Sequence, residues 1–374
     1  MKVLRITSLD EFVSLADEWD DLLEKSGQAN VFLTHEWMLS WWKVYGAGAD
    51  LFILACRSVE NRSLVGILPL YRKPEGYFPR VNILRFIAGN NVGSDFLEPI
   101  YLPDECQNIF KTFIEYLQNN LKEWDVVEFS SVELNSIFYS FLNSKKNILS
   151  IYFSENTQLC PYVSLPKSWE ELLASVSKKV RQKVGYYRRS LERHGSYEIY
   201  RIADKSKLNE SITNLMHIRK QRLESKGINF DKVSDNYRKF HTSVMENFLE
   251  KGWLQLCFLK FQNKPVAFVY QFVFQRRVFF YQTGFDKELS ALSVGFVLLG
   301  HVIEDAIRDK NNCFEFLRGD EKYKYDWNVS KIRQIVDICI VKCSIRGKIF
   351  KFKISAFIIL KNMFREYRKL IKSK

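Results

Sequence analysis

The sequence predicts a mixed α/β (α+β) protein of two fused halves, each a mixed, mostly antiparallel sheet with a βαβ unit and flanking helices. Strand-like apolar runs alternate with amphipathic helical stretches, and runs of strands followed by a βαβ unit form a sheet with helices packed on it. The same order of elements occurs twice. At 374 residues, 47% of them hydrophobic and 15% aromatic, the chain exceeds a comfortable single core.

In the first half, helical sequence from Glu11 to Lys25 precedes a hairpin of Leu51–Arg57 and Ser63–Tyr71, turned near Asn61-Arg62. Val81–Ala88, a helix from about Gln107 to Asn120 and a strand Val126–Phe129 complete the unit. In the second half, helical Leu208–Glu224 precedes strands Trp253–Lys260 and Pro265–Phe274, turned at Asn263-Lys264. The strand Val278–Phe285 follows, then a loop from Lys287 to Ser293 and a helix from Val294 to about Lys310. Phe296, Leu299, Val302, Ile303, Ala306 and Ile307 recur there at helical spacing, and Cys313–Leu317 reads as a buried strand. The hairpins share a pattern, Leu64-Val65-Gly66-Ile67-Leu68-Pro69 beside Pro265-Val266-Ala267-Phe268-Val269-Tyr270. The expected divisions are 1–160, 161–345 and a basic amphipathic C-terminal helix over 346–374.

The net charge of +13 is confined to two segments. Lys178–Arg193 holds seven Lys or Arg against one Glu, and Val341–Lys374 holds eleven against one. The terminal segment carries Phe350, Ile354, Phe357, Leu360, Phe364, Tyr367 and Ile371 at helical spacing. It either meets an anionic membrane surface or packs its stripe on its own domain. Lys178–Arg193, with Tyr186 and Tyr187 among its cations, suits phosphate contacts through Arg181, Arg188 and Arg189, RNA contacts, or plain solvation. Met1–Glu24 is acidic throughout with no uninterrupted apolar core, which argues against a secretory signal. Seven scattered cysteines, mostly in apolar runs, read as reduced thiols in a cytoplasmic protein, with no zinc spacing and no metal expected.

The richest chemistry lies at Arg318-Gly319-Asp320-Glu321-Lys322-Tyr323-Lys324-Tyr325-Asp326-Trp327, where ionisable and aromatic side chains crowd the end of the last strand. Just upstream, Thr283-Gly284 ends a strand and Ser293-Val294-Gly295 opens a helix. A strand, a small-residue turn and a helix N-terminus together direct unpaired N–H groups and a helix dipole at an anion.

In these residues the chain resembles the GNAT acyltransferase superfamily, in the branch with two fused acyltransferase-like halves. That branch holds the CelD-like (BioF2-like) acyltransferases and the Fem aminoacyl transferases of cell-wall synthesis. Arg318-Gly319-Asp320-Glu321-Lys322-Tyr323-Lys324 matches a run of the CelD-like pattern, and Ser293-Val294-Gly295 stands where that pattern has Ser-Pro-Gly. The resemblance covers residues 160 to 345 well and the first half in outline. It implies a cytoplasmic enzyme, peripheral at the membrane if the C-terminal helix lies there, that moves an acyl group from acyl-CoA to a small-molecule or glycan-precursor acceptor. The alternative is a Fem-like transferase using aminoacyl-tRNA, the one reading in which nucleic acid is a partner. A non-catalytic membrane-surface protein is a third possibility.

By the same resemblance, acyl-CoA sits against Thr283, Gly284, Ser293, Val294 and Gly295. Asp320 or Glu321 takes the proton of the nucleophile, and Tyr323 or Tyr325 protonates the leaving thiolate. Arg318, Lys324, Arg181 and Arg188 contact substrate, as does Asp95 in Gly93-Ser94-Asp95-Phe96 of the first half. The structural alternatives are an Asp320–Arg318 ion pair that fixes the loop and an Asx-type turn at Asp95. Trp37, Trp41 and Trp42 read first as core. His217 and His241 have no neighbour in sequence that gives them a role.

Overall fold

The apolar runs of both halves form antiparallel pairs in the computed structural model, which describes residues 1–76, 80–89, 91–153, 157–224, 227, 234–350 and 352. The chain opens with β1 (Lys2–Ile6), α1 (Leu9–Ser14), α2 (Ala16–Ser26) and α3 (His35–Tyr45). Then come β2 (Asp50–Arg57), β3 (Leu64–Glu75), β4 (Val81–Phe86), β5 (Ile100–Tyr101) and α4 (Cys106–Asn119). Next are β6 (Val126–Glu133), α5 (Ile137–Ser144), α6 (Lys146–Leu149), β7 (Ile151–Phe153) and β8 (Gln158–Ser164). The helices α7 (Trp169–Ser175) and α8 (Lys178–His194) lead to β9 (Tyr197–Arg201), α9 (Leu208–Glu224) and α10 (Ser234–Glu250). The last elements are β10 (Leu254–Phe261), β11 (Lys264–Phe274), β12 (Arg277–Phe285), α11 (Val294–Arg308), β13 (Cys313–Glu315) and β14 (Lys331–Val341). Of the C-terminal segment expected to be helical, residues 345–350 are helical and the residues beyond Phe352 lie outside the described part.

Two units emerge, neither of them continuous in sequence. The first comprises Met1–Ser26, Gly48–Thr157 and Val336–Lys374, and the second Gly27–Ala47 and Gln158–Ile335. In the first, β1 to β4 form an antiparallel meander, and β4 then pairs in parallel with β6 through Ile83↔Val126. The crossover between them carries α4, whose Phe110 meets Tyr101, Phe138 and Phe141 edge-on or tilted. Burying one apolar stripe per helix against a sheet is what stabilises such a layer, at about 25 cal/mol per Å² of apolar surface.

The second unit repeats the plan. Strands β9 to β12 are antiparallel, β12 pairs in parallel with β13, and β13 pairs antiparallel with β8. Helix α11 buries Val297, Leu298, Val302, Ile303 and Ala306 in one core with Val278, Phe280 and Phe314 of the sheet. The opposite face takes α3, whose Trp37 is fully buried against Phe240 and Phe248 of α10 and Phe272 of β11. Large aromatic area on both partners gives α3 its place in this unit, although its sequence lies among first-half elements.

Parallel pairing of β12 with β13 stops early. It runs only from Arg277↔Cys313 to Phe279↔Glu315. The next residue, Phe316, donates its N–H to the Pro161 carbonyl at 3.0 Å, and Gly319 donates to Leu159 at 2.9 Å. The strand expected to reach Leu317 therefore ends at Glu315, and Leu317 turns the chain with a left-handed φ of 56°. Past this point the two chains diverge, and the edge of β12 from Phe280 to Phe285 loses its neighbour on that side. The root of the divergence is fixed by Glu315, which has no exposed surface. Its carboxylate accepts from Arg277 on β12 and, at 3.1 Å, from Arg333 on β14.

Removing a buried carboxylate that joins three strands leaves two guanidiniums without their shared partner. Glu315→Ala is expected to lower unfolding stability by about 3 kcal/mol, the low end for such a pair because both guanidiniums are partly exposed. Equilibrium urea unfolding measures this, and Glu315→Gln, which keeps the shape, should lose less.

Candidate active site at the diverging strands

The gap between β12 and the chain after β13 contains a cavity of about 310 Å³, within the size range of small-molecule sites. Its walls are Arg222, Phe280, Thr283, Phe285, Ser290, Ser293, Gly295, Phe296, Leu299 and Tyr323. Three of the five residues expected to hold the acyl donor, Thr283, Ser293 and Gly295, therefore line one cavity. The other two do not line it. Val294 is fully buried in the core. Gly284 is a packing residue, since a Cβ there would lie 2.5 Å from Cε1 of Phe268.

Helix α11 begins with an unusual cap. Ser293 is left-handed (φ 51°) and makes no side-chain capping bond. Phe296 and Val297 donate their N–H groups to its carbonyl at 2.9 and 3.1 Å, which leaves the first two N–H groups of the helix, those of Val294 and Gly295, at the cavity end. Gly295 fits closely under the Phe285 ring, where a Cβ would lie 2.8 Å from the ring. Above, Nη1 of Arg222, on α9, donates to the Thr283 carbonyl at 2.5 Å, and the guanidinium lies 5.8 Å from the Phe285 centroid. The cavity thus offers an aromatic wall, a helix N-terminus and one cation.

The acidic run divides into distinct roles. Lys324 is only 2% exposed, and its ammonium donates to the carbonyls of Leu317 (3.3 Å), Arg318 (2.9 Å) and Gly319 (3.2 Å) while pairing with Glu321 at 2.9 Å. An ammonium with three donors is fully engaged by such a set. Lys324 therefore holds the loop rather than reaching a substrate, and Glu321 is held with it. Asp320 is exposed and accepts from the Tyr325 hydroxyl at 2.5 Å. Donation to that carboxylate, followed by desolvation, pushes the Tyr325 phenol up to about 12. Tyr323 is different. It faces the cavity, and burial, assisted by Glu321, raises its phenol well above 10, which keeps it protonated.

Other expected residues lie elsewhere. Arg188 pairs with Glu304 of α11 at 2.6 Å and lies over Trp169 at 5.5 Å, so it joins α8 to the core. Arg181 is exposed on α8. Arg318 is half-buried and follows the turn at Leu317. Asp95, in the first unit, has no exposed surface, in a loop where Ser94 donates to the Ala88 carbonyl at 2.6 Å. Among the described residues no group of three His, Cys, Asp or Glu is placed to hold a metal ion.

Several polar residues near the gap had no signal in the sequence. A β-bulge interrupts the β11–β12 ladder, where Tyr270 pairs with Gln282 but Gln271 pairs with Phe280. The extra residue is Tyr281, and the bulge turns Tyr281 and Gln282 to the same side. Tyr281 meets Trp37 and Tyr270, while Gln282 accepts from Arg219 of α9 (2.7 Å) and Tyr237 of α10 (2.5 Å). His241 lies beneath them, 3.4 Å from the Tyr270 hydroxyl. Burial, then the Arg219 charge, depresses its pKa far below 6.5 and keeps it neutral.

Residues 178–325 match the family model "Acetyltransferase (GNAT) domain". No curated protein matches the chain. Among solved structures, one described as FemX is similar at 10% identity with a TM-score of 0.61, covering 94% of this chain and 99% of that one. L-PGS from Bacillus licheniformis (11% identity, TM-score 0.52, 90% and 93% covered) is similar as well. So is a tandem GNAT protein from the clavulanic acid biosynthesis pathway, at 9% identity and TM-score 0.51, covering 90% and 98%. The fold is thus the tandem GNAT fold over most of the chain, and its second half carries an acyltransferase domain of the GNAT type.

Replacing Lys324 by Met removes the donor from three carbonyls at once. The expected cost is about 2–4 kcal/mol in urea unfolding, with faster hydrogen exchange at the amides of residues 319–325.

Proposed function

We propose that the protein transfers an acyl group from acyl-CoA to an amino or hydroxyl group of a sugar or other cell-envelope precursor, by direct attack on the thioester. The observation that carries this reading is the cavity in the gap beside β12, closed at one end by the uncapped N-terminus of α11. A pyrophosphate fits a helix N-terminus, and the pantetheine arm fits the strand edge left open past Phe279.

The chemistry divides among three residues. Asp320, exposed at the end of the loop, takes the proton from the attacking amine or hydroxyl. The tetrahedral centre collapses as the carbon–sulfur bond breaks, and the thiolate takes a proton from Tyr323. Tyr323 suits this step better than Tyr325, because it lines the cavity and its hydroxyl is not committed to Asp320. Lys324 and Glu321 keep the main chain between them in place. The basic segment over residues 346–374 is read as a contact with anionic membrane on the cytoplasmic side. Among the described residues no helix is long and apolar enough to cross a membrane.

A second donor is supported by the similarity to the FemX structure and by the cationic α8, whose Arg181, Tyr186 and Arg189 are exposed. In that reading an aminoacyl ester of tRNA takes the place of the thioester, and the leaving group is a ribose hydroxyl. Calorimetry separates the two donors. CoA should bind the wild-type protein, and Gly295→Asp should weaken that binding at least about tenfold by setting a carboxylate against phosphate. Binding of aminoacyl-tRNA with no binding of CoA would establish the second donor instead.

Asp320→Asn keeps the shape and removes the charge. Acyl transfer should fall by about 10²–10⁴-fold with little change in melting temperature. A normal rate with a lowered melting temperature would assign Asp320 to holding Tyr325.

A further inference from the structure

We propose that the side of β12 opposite α11 carries a subsite for an anionic group of the acceptor, a phosphate or a carboxylate, formed by Arg219, Arg318, Tyr281, Gln282 and Tyr237. The inference rests on the acyltransferase reading and adds to it the charge class of the second substrate.

Arg219 is the centre of the argument. It is half-buried, stacks on the Tyr237 ring at 4.4 Å, and spends one N–H on the Gln282 amide oxygen at 2.7 Å. Both partners are neutral. Among the described residues no carboxylate lies within ion-pair distance of its guanidinium, and its buried Nε has no hydrogen-bond partner. A guanidinium whose Nε is buried and unpaired is better satisfied when an anion meets it.

The surroundings are arranged to the same end. The bulge turns two consecutive residues, Tyr281 and Gln282, onto this side, which a regular strand cannot do. Tyr281 keeps some accessible surface although Phe32, Trp37, Tyr270 and Phe272 pack around it. Burial above all raises its phenol well above 10, and the charges of Arg219 and Arg318 act against that rise, which sets both cations near its hydroxyl. The polar residue behind them, His241, is neutral, and its Nε2 has no partner. Arg219 and Arg318 thus lie beside the neutral side chains of Tyr281, Gln282 and Tyr237. This cluster adjoins the donor cavity through β12 itself, since Gln282 and Thr283 are neighbours, and through α9, where Arg219 and Arg222 are one turn apart. An acceptor anchored here by an anion would bring its nucleophile to the gap from the side opposite α11.

The test titrates inorganic phosphate into the full-length protein by calorimetry, with and without excess CoA, using wild type, Arg219→Gln, Arg219→Lys and Gly295→Asp. Phosphate at the α11 N-terminus is displaced by CoA and lost in Gly295→Asp. Phosphate at the proposed subsite should persist in the presence of CoA and in Gly295→Asp. Its affinity should weaken about tenfold or more in Arg219→Gln and less in Arg219→Lys, which keeps the charge without the fork. Unchanged melting temperatures keep the comparison clean, and Tyr281→Phe, which removes one donor and preserves the ring, gives a milder loss if Arg219→Gln fails to fold. Phosphate binding that is wholly displaced by CoA, or that Arg219→Gln leaves intact, overturns the proposal. If CoA does not bind but Arg219-dependent phosphate binding remains, the donor reading fails and the subsite stands.

Discussion

The second unit depends on the point where β12 and β13 part. Parallel strands normally continue together until both end, because each lost pair leaves main-chain groups unsatisfied. Here Phe316 and Gly319 find acceptors on β8 instead, so separation leaves those donors paired. Glu315 sits at the last shared position and binds Arg277 of the neighbouring β12 and Arg333 of β14, which lies beyond β8 on the other side. A buried carboxylate whose two charged partners come from different strands opposes further zipping as well as further opening.

Everything chemical in this half follows from the gap. Its α11 side becomes an aromatic cavity that ends at a helix N-terminus. On the far side, the bulge at Tyr281 turns Gln282 toward Arg219 of α9 and Tyr237 of α10. The chain that leaves β13 must turn sharply, and the turn needs a left-handed Leu317 and a glycine at φ 119°. Lys324 satisfies the carbonyls this turn exposes, which is why a lysine is buried there. The sequence motif that draws most notice is thus partly a structural device, with Asp320, Tyr323 and Tyr325 as the residues it presents.

Much of this was legible in the residues alone. The hairpins, the helix α11 and the order of elements in both halves follow from periodicity, because apolar side chains must fall on one face of a strand or helix to be buried. The helix over Leu208–Glu224 was read to the residue. Thr283, Ser293, Gly295 and Tyr323 meet at one cavity because the strand–turn–helix order dictates a turn at that end of the sheet. The roles of Arg188 and Lys324 were not legible, because a cation's partner depends on which element packs beside it. Trp37 shows the same limit, since its helix finds an aromatic surface contributed by residues about 200 positions later.

By itself the sequence determined the class of fold, the duplicated plan and the stretch of chain where the chemistry lies. These are set locally, by side-chain period and by backbone turns, and so can be read one segment at a time. Only the tertiary structure decided that β13 ends at Glu315, that Asp320 accepts from Tyr325, and that Arg219 and His241 both pack on the Tyr237 ring, with Tyr281 against His241. Those outcomes depend on which donors and acceptors distant segments bring together, and burial in a low-dielectric interior makes each such pairing a condition of folding.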